Sequence, residues 1–340
     1  MLRSVWVPAV VAVLLSGCDA GAGLATIGRQ DRPSEVSYRV TGTITVGKRP
    51  SGVAVDPSTH TVYVTNQAEN TVSVIDAATR TVSATITVAR APDAIAVDPS
   101  THTVYVANRD DDTVSVINGS TKAVTATVPV GDSPCGLAVD PTRNLVYVTH
   151  FGGNTVSVID GMTHDIVGTV PVSKNVNGVS VDPGKNTVYA ISRTFSAGRP
   201  ITGDDLVSVI DASRRTVTAT LSFGESPLAV TVDQSNGAVY VAADFSVAVI
   251  DGVTGTVTAT VPVDSISSTP GLAVDPSTHS VYVTTNPHNA VVVIDGTGHA
   301  VTATVPLRMK PYGVSVDPDT HVVYVAHTDD GTVSIIENGP

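Results

Sequence analysis

A tyrosine flanked by Val or other small apolar residues recurs seven times along this chain. It stands at Tyr63, Tyr105, Tyr147, Tyr189, Tyr240, Tyr282 and Tyr324. The interval is 42 residues at every step except the one of 51 between Tyr189 and Tyr240. The unit 51–91 shows what fills one period. Gly52–Asp56 and Thr61–Asn66 are short runs rich in Val, Thr and Tyr, separated by the turn Pro57–His60. Thr71–Asp76 and Thr81–Val88 are two more, separated by Ala77–Arg80. Four short β-patterns bounded by turn residues in a period near 42 define propeller blades. The fold class is therefore all-β, a seven-bladed β-propeller of four-stranded antiparallel blades.

Other marks recur in phase. The first strand ends in Asp at 56, 98, 140, 182, 233, 275 and 317, and Pro follows in every unit but the one with Gln234. An Asp side chain can accept from the backbone two residues on, and Pro presets φ, so Asp-Pro-Ser-Thr-His reads as the tight turn of the first hairpin. His60, His102, His279 and His321 close that turn and are expected to be exposed and chemically idle. The repeated tyrosines are expected to pack between blades.

The two ends complete one blade. The chain finishes on a third strand, Thr332–Glu337, and Val40–Val46 is a fourth strand with nothing before it. Pairing them closes the ring and removes an open sheet edge. The propeller is expected to span 40–338.

Ahead of it, Met1-Leu2-Arg3 precedes an apolar run, Val5–Leu15, that is too short to span a bilayer. Leu15-Ser16-Gly17-Cys18 resembles the bacterial lipobox. That resemblance implies a signal peptide at 1–17, a lipidated Cys18 and a flexible tether at 18–39, hence an extracytoplasmic, membrane-anchored lipoprotein of the cell envelope or periplasm. Cys135 is the only other cysteine, so the mature chain has no intramolecular disulfide. It reads as a small buried hydrophobe. The formal net charge of −12 disfavours bulk nucleic-acid binding.

The Y-V-[TA]-N segment, followed by V-S-V-I-D and preceded by an Asp-Pro turn, resembles the YVTN repeat family and its YncE-like seven-bladed propellers over residues 40–337. The resemblance implies the fold and leaves activity open. That family includes surface and periplasmic proteins, and a DNA-binding association is attached to the YncE type. More distant seven-bladed propellers include lactonases and an antibiotic lyase, and no catalytic motif of theirs can be placed here residue by residue. G-x-S-x-G, H-E-x-x-H and paired-cysteine motifs are absent from the sequence.

Departures from the repeat fall on one rim, formed by the loops joining strands two and three and by those leading into the next first strand. The nine extra residues of the fourth unit lie there, between Ser192 and Leu206. The candidate binding residues are Arg49, Arg90, Asn108, Arg109, His150, Phe151, Arg193, Phe195, Tyr312 and His327. The cations suggest an anionic ligand, a protein or a glycan, bound by a monomeric module without cofactor. His150 and His327 lie on nearly opposite blades, too far apart to share a zinc ion at ~2.1 Å, and no metal site is expected. The alternative is a lactonase- or lyase-like enzyme using a rim histidine, with His150 the candidate.

Overall fold

The computed structural model describes residues 37–193, 206–222, 225–266, 270–286 and 288–339. The expected signal peptide and nearly all of the tether lie outside these residues. Among the described residues no helix is long and apolar enough to cross a membrane.

Among the described residues, 28 strands, numbered in chain order, form seven antiparallel sheets of four. Blade 1 is β2 (Pro50–Asp56), β3 (Thr61–Asn66), β4 (Thr71–Asp76) and β5 (Thr81–Thr87). The following blades repeat this order. Their first strands are β6 (Pro92–Asp98), β10 (Pro134–Asp140), β14 (Val176–Asp182), β18 (Ala229–Asp233), β22 (Leu272–Asp275) and β26 (Pro311–Val316). These seven strands pack each against the next around a central hub. The chain is thus a seven-bladed β-propeller.

Closure follows the expected pairing. β1 (Ser37–Thr45) pairs antiparallel with β28 (Thr332–Gly339), from Ser37 opposite Gly339 to Thr45 opposite Thr332, with a bulge between Val40 and Gly42. The strand starts three residues before the expected Val40. The extension carries Tyr38, whose ring meets Tyr282 edge-on at 5.9 Å between centroids.

The core is divided among the seams. Seven hydrophobic clusters each combine residues of two adjacent blades, as Tyr63, Val72 and Val74 of blade 1 do with Val104, Val106 and Ile117 of blade 2. The repeated tyrosine spans the seam, as expected. Tyr105, Tyr189 and Tyr240 donate to the carbonyls of Gly161, Gly252 and Gly296 in the next blade, at 3.4, 3.1 and 3.3 Å. Those glycines leave room for the phenol: a Cβ at Gly252 would stand 2.8 Å from the Tyr189 hydroxyl. Blade 4 has Ala212 at this place, and the hydroxyl of Tyr147 opposite it is buried without a partner.

The turn histidines are not idle. His102 Nδ1 lies 2.8 Å from Asp56, His279 2.7 Å from Asp233, His321 2.8 Å from Asp275 and His60 2.8 Å from Asp317. Each pair joins one blade to the next, and the last joins blade 7 to blade 1. The histidine position has positive φ, 49° to 59° in these four. Asn144, Asn186 and Gly237 occupy it in the other three blades that follow an Asp turn. Left-handed backbone favours Gly and tolerates Asn and His. At two of those seams a cation from the turn itself approaches the carboxylate: Arg143 at 2.9 Å from Asp140 and Lys185 at 4.0 Å from Asp182.

Removing an unsatisfied hydroxyl and removing a satisfied one should differ in sign. Tyr147→Phe is expected to leave stability unchanged or raise it, whereas Tyr105→Phe should cost about 1 kcal/mol. Denaturant unfolding of the two variants checks this.

The seam pairs also set a pH dependence. The hydrogen bond to Asp317 raises the pKa of His60 above its ordinary value, with Asp319 and Asp56 adding to it. Its contribution is therefore full below the unfolded value of about 6.5 and is lost as pH rises through the raised folded value. The melting-temperature gap between wild type and His60→Ala should be widest near pH 5.5 and narrow by pH 9. Asp56 runs the other way. Burial opposes its charge, but hydrogen bonds from Ser58 and His102 outweigh burial and hold it below its ordinary value, so its contribution disappears in acid.

Candidate functional site at the hub

In five of the blades the first strand begins at a proline, or at Val176 in blade 4, and the ladder then slips. The register shifts between Pro50 and Val53, Pro92 and Ile95, Pro134 and Gly136, Val176 and Gly178, and Pro311 and Val314. The residue after the proline therefore sits in a β-bulge, a device that frees a side chain from the ladder. Ser51, Asp93, Cys135, Asn177 and Tyr312 occupy these bulges, and with Leu228 and Gly271 they ring the hub. Glycine after the bulge lets neighbouring inner strands approach: a Cβ at Gly313 would collide with the Ser51 carbonyl, and one at Gly52 with the Asp93 carbonyl.

The ring lines a cavity of about 500 Å³. Arg109, Phe151 and Arg193 add to it from the ends of the second strands of blades 2, 3 and 4. The Arg109 guanidinium lies over the Phe151 ring at 5.0 Å, a cation–π arrangement that fixes the direction of the fork. Ser51 Oγ is 2.9 Å from Thr65 Oγ1, which donates to the Asp93 carbonyl at 2.8 Å and so ties blade 1 to blade 2.

Burial pushes the Asp93 carboxyl above its ordinary value, against the opposing pull of Arg109, Ser51 and Arg49. The Cys135 thiol is pushed up to about 12 by burial and faces the carbonyls of Thr149, Val176 and Asn177. It is a protonated thiol at neutral pH and no nucleophile.

Arg109, Phe151, Arg193 and Tyr312 line this cavity. Arg49 is exposed and reaches the site only through its field on Asp93. Arg90 is held in its own loop by Asp111 at 2.6 Å and by the Asp110 carbonyl at 2.9 Å. Phe195 lies outside the described residues.

Asn108, His150 and His327 are not rim groups. All three are buried within their blades, at 0, 2 and 2% exposure. Asn108 donates to Thr113 and Ser115 at 3.1 and 2.9 Å. His150 Nε2 lies 2.9 Å from Ser157 Oγ and His327 Nε2 2.8 Å from Ser334 Oγ, in the places of equivalent asparagine contacts. Burial lowers the pKa of both imidazoles, so they pack as neutral rings. Neither lines the cavity.

Ser51, Asp93, Cys135 and Asn177 were missed as site residues. Their signal was present in the sequence: the position after the proline reads Ser, Asp, Cys, Asn, Leu, Gly and Tyr in seven otherwise uniform units.

Residues 34–123 match the family model described as Lactonase, 7-bladed beta-propeller, a span that covers β1, blade 1 and most of blade 2. Among solved structures the chain is similar to hydrazine synthase of Kuenenia stuttgartiensis, with 23% identity and a TM-score of 0.76 over 86% of this chain and 96% of that chain. At that identity the likeness is one of fold. No curated protein matches the chain.

Proposed function

We propose that the chain is a binding propeller of the YVTN, YncE-like kind that captures a small anionic ligand in the hub cavity. The observation that carries this is the cavity lining, which among the described residues combines two guanidiniums with apolar walls and no histidine. A volume of about 500 Å³ suits a small molecule, and a few placed polar groups on an apolar wall are what such sites use for orientation. A macromolecular partner reached through the rim loops is the broader form of the same reading.

Asp93 competes with an incoming anion for Arg109. Asp93→Asn should therefore tighten anion binding several-fold, and lowering the pH should do the same in the wild type as the carboxyl takes up its proton. Arg109→Glu should abolish binding, while Arg90→Glu, which breaks only the pair with Asp111, should leave it intact. Isothermal titration with acetate and inorganic phosphate checks all four. Anion binding that ignores the charge at 109 would sink the proposal.

The lactonase-type match supports a second reading, ring opening of a lactone in the same cavity. Asp93 is the one carboxyl among the described lining residues and would serve as the acid or base. Turnover of a chromogenic lactone that disappears in Asp93→Ala would favour it over simple binding.

The sequence around Cys18 supports an extracytoplasmic protein carried on a lipid anchor. Cys18→Ala is expected to move the protein from the membrane fraction to the soluble fraction after cell disruption. Retention on the membrane would contradict the anchor.

A further inference from the structure

The hub cavity is not evenly lined. Its charged lining residues, Asp93, Arg109 and Arg193, all come from blades 2 to 4. Blades 5 to 7 contribute no charged side chain to the lining among the described residues. Their bulge-level positions hold Leu228, Gly271 and Tyr312, with Pro270 beside them, where blades 1 to 4 hold Ser, Asp, Cys and Asn. The loop position that supplies Arg109, Phe151 and Arg193 reads Asp244, Asn286 and Thr328 in blades 5 to 7, and none of these lines the cavity. A repeat that merely propagated would give one chemistry all round. This ring has a cationic arc facing an apolar arc.

We infer that the cavity selects a small amphipathic monocarboxylate, its acid group on the Arg109–Phe151 side and its apolar body against Leu228, Pro270 and Tyr312. The inference rests on the anion-binding reading above and adds the class of ligand. Three features carry it. The arcs lie on opposite sides of one cavity of about 500 Å³, so a ligand that fills it touches both. Among the described lining residues the guanidiniums of Arg109 and Arg193 outnumber the one carboxyl, Asp93, a balance that favours an anion. The second negative charge of a dianionic phosphate would be repelled by Asp93 more strongly than the single charge of a carboxylate. The Arg109 fork, oriented by the Phe151 ring, offers the planar, paired donors that match a carboxylate.

On the apolar side, Tyr312 gives a flat face with a polar edge, and Leu228, 6% exposed, belongs to the core between blades 5 and 6. A ring or short hydrocarbon body buries there without stranding a polar group. A sugar would leave its hydroxyls against this wall without partners and is disfavoured.

The test is isothermal titration of the detergent-solubilised full chain with four probes: 3-phenylpropanoate, acetate, 3-phenylpropanol and inorganic phosphate. The expected order places 3-phenylpropanoate roughly tenfold or more ahead of the other three, since each of them lacks one half of the match. Arg109→Gln should weaken 3-phenylpropanoate about tenfold and leave 3-phenylpropanol unchanged, whereas Tyr312→Ser should weaken both. The comparison of probes on the unaltered chain stands even where a variant fails to fold. Acetate or phosphate binding as tightly as 3-phenylpropanoate, and depending on Arg109, would overturn the amphipathic class while leaving the anion-binding reading intact. Loss of Arg109-dependent binding for every anion would overturn both.

Discussion

Six aspartates end inner strands and a seventh, Asp317, directly follows one, and each is at most 2% exposed. Burying that many carboxylates in one ring is costly unless every one is met by donors or a cation. The turn that follows supplies the first donors: Ser58, Ser100, Thr142, Ser235 and Ser277 each give their backbone N–H to Oδ1 of the Asp two residues earlier, at 2.9 to 3.1 Å. The second oxygen is then available to the neighbouring blade, and at four seams a histidine takes it. So one side chain shapes its own hairpin and fastens the adjacent sheet. Removing such an Asp would strand a turn and a seam together, which is why the position does not vary while the residues around it do.

The same economy shows at the tyrosines. A phenol that crosses the seam requires a small residue on the far side, and glycine is found there at four places. At the closing blade the requirement is met differently. Tyr282 turns its hydroxyl to Tyr38 on β1, 3.4 Å away, so the N-terminal strand enters the seam as well as the sheet ladder. Ring closure is therefore held both by backbone pairing and by a side-chain contact of the kind that joins the other blades.

How much of this could be read from the sequence depends on what periodicity can see. The architecture was legible because the Tyr, the Asp-Pro turn and the unfinished blade at each end all repeat in phase. The seam pairs were legible in principle: Asp56 and His102, Asp233 and His279, and Asp275 and His321 are each 46 residues apart, one period plus a turn. They went unread because a histidine at the end of an exposed turn has the same local context whether it faces solvent or the next blade. The site was legible only in part. Asn108, His150 and His327 stand on second strands that are buried on both faces, and there the alternation of side chains no longer separates an interior face from a functional one. Arg109, Phe151 and Arg193, one residue further on, leave the strand and reach the cavity.

The bulge explains how one ring holds both a rigid frame and a variable site. In a regular strand, every side chain that faces the hub is fixed by the pairing on either side of it, and a change there disturbs the ladder. In five blades the residue after the leading proline, or after Val176, is relieved of that duty, because the ladder resumes one or two residues later in the same register. These five positions, with Leu228 and Gly271 just ahead of the first strands of blades 5 and 6, can diverge while the Asp, Tyr and turn positions stay constant. That Ser, Asp, Cys and Asn fall on one run of blades and Leu, Gly and Tyr on the other is what gives the hub a direction, and a cavity with a direction can orient a ligand that a sevenfold-symmetric ring could only admit.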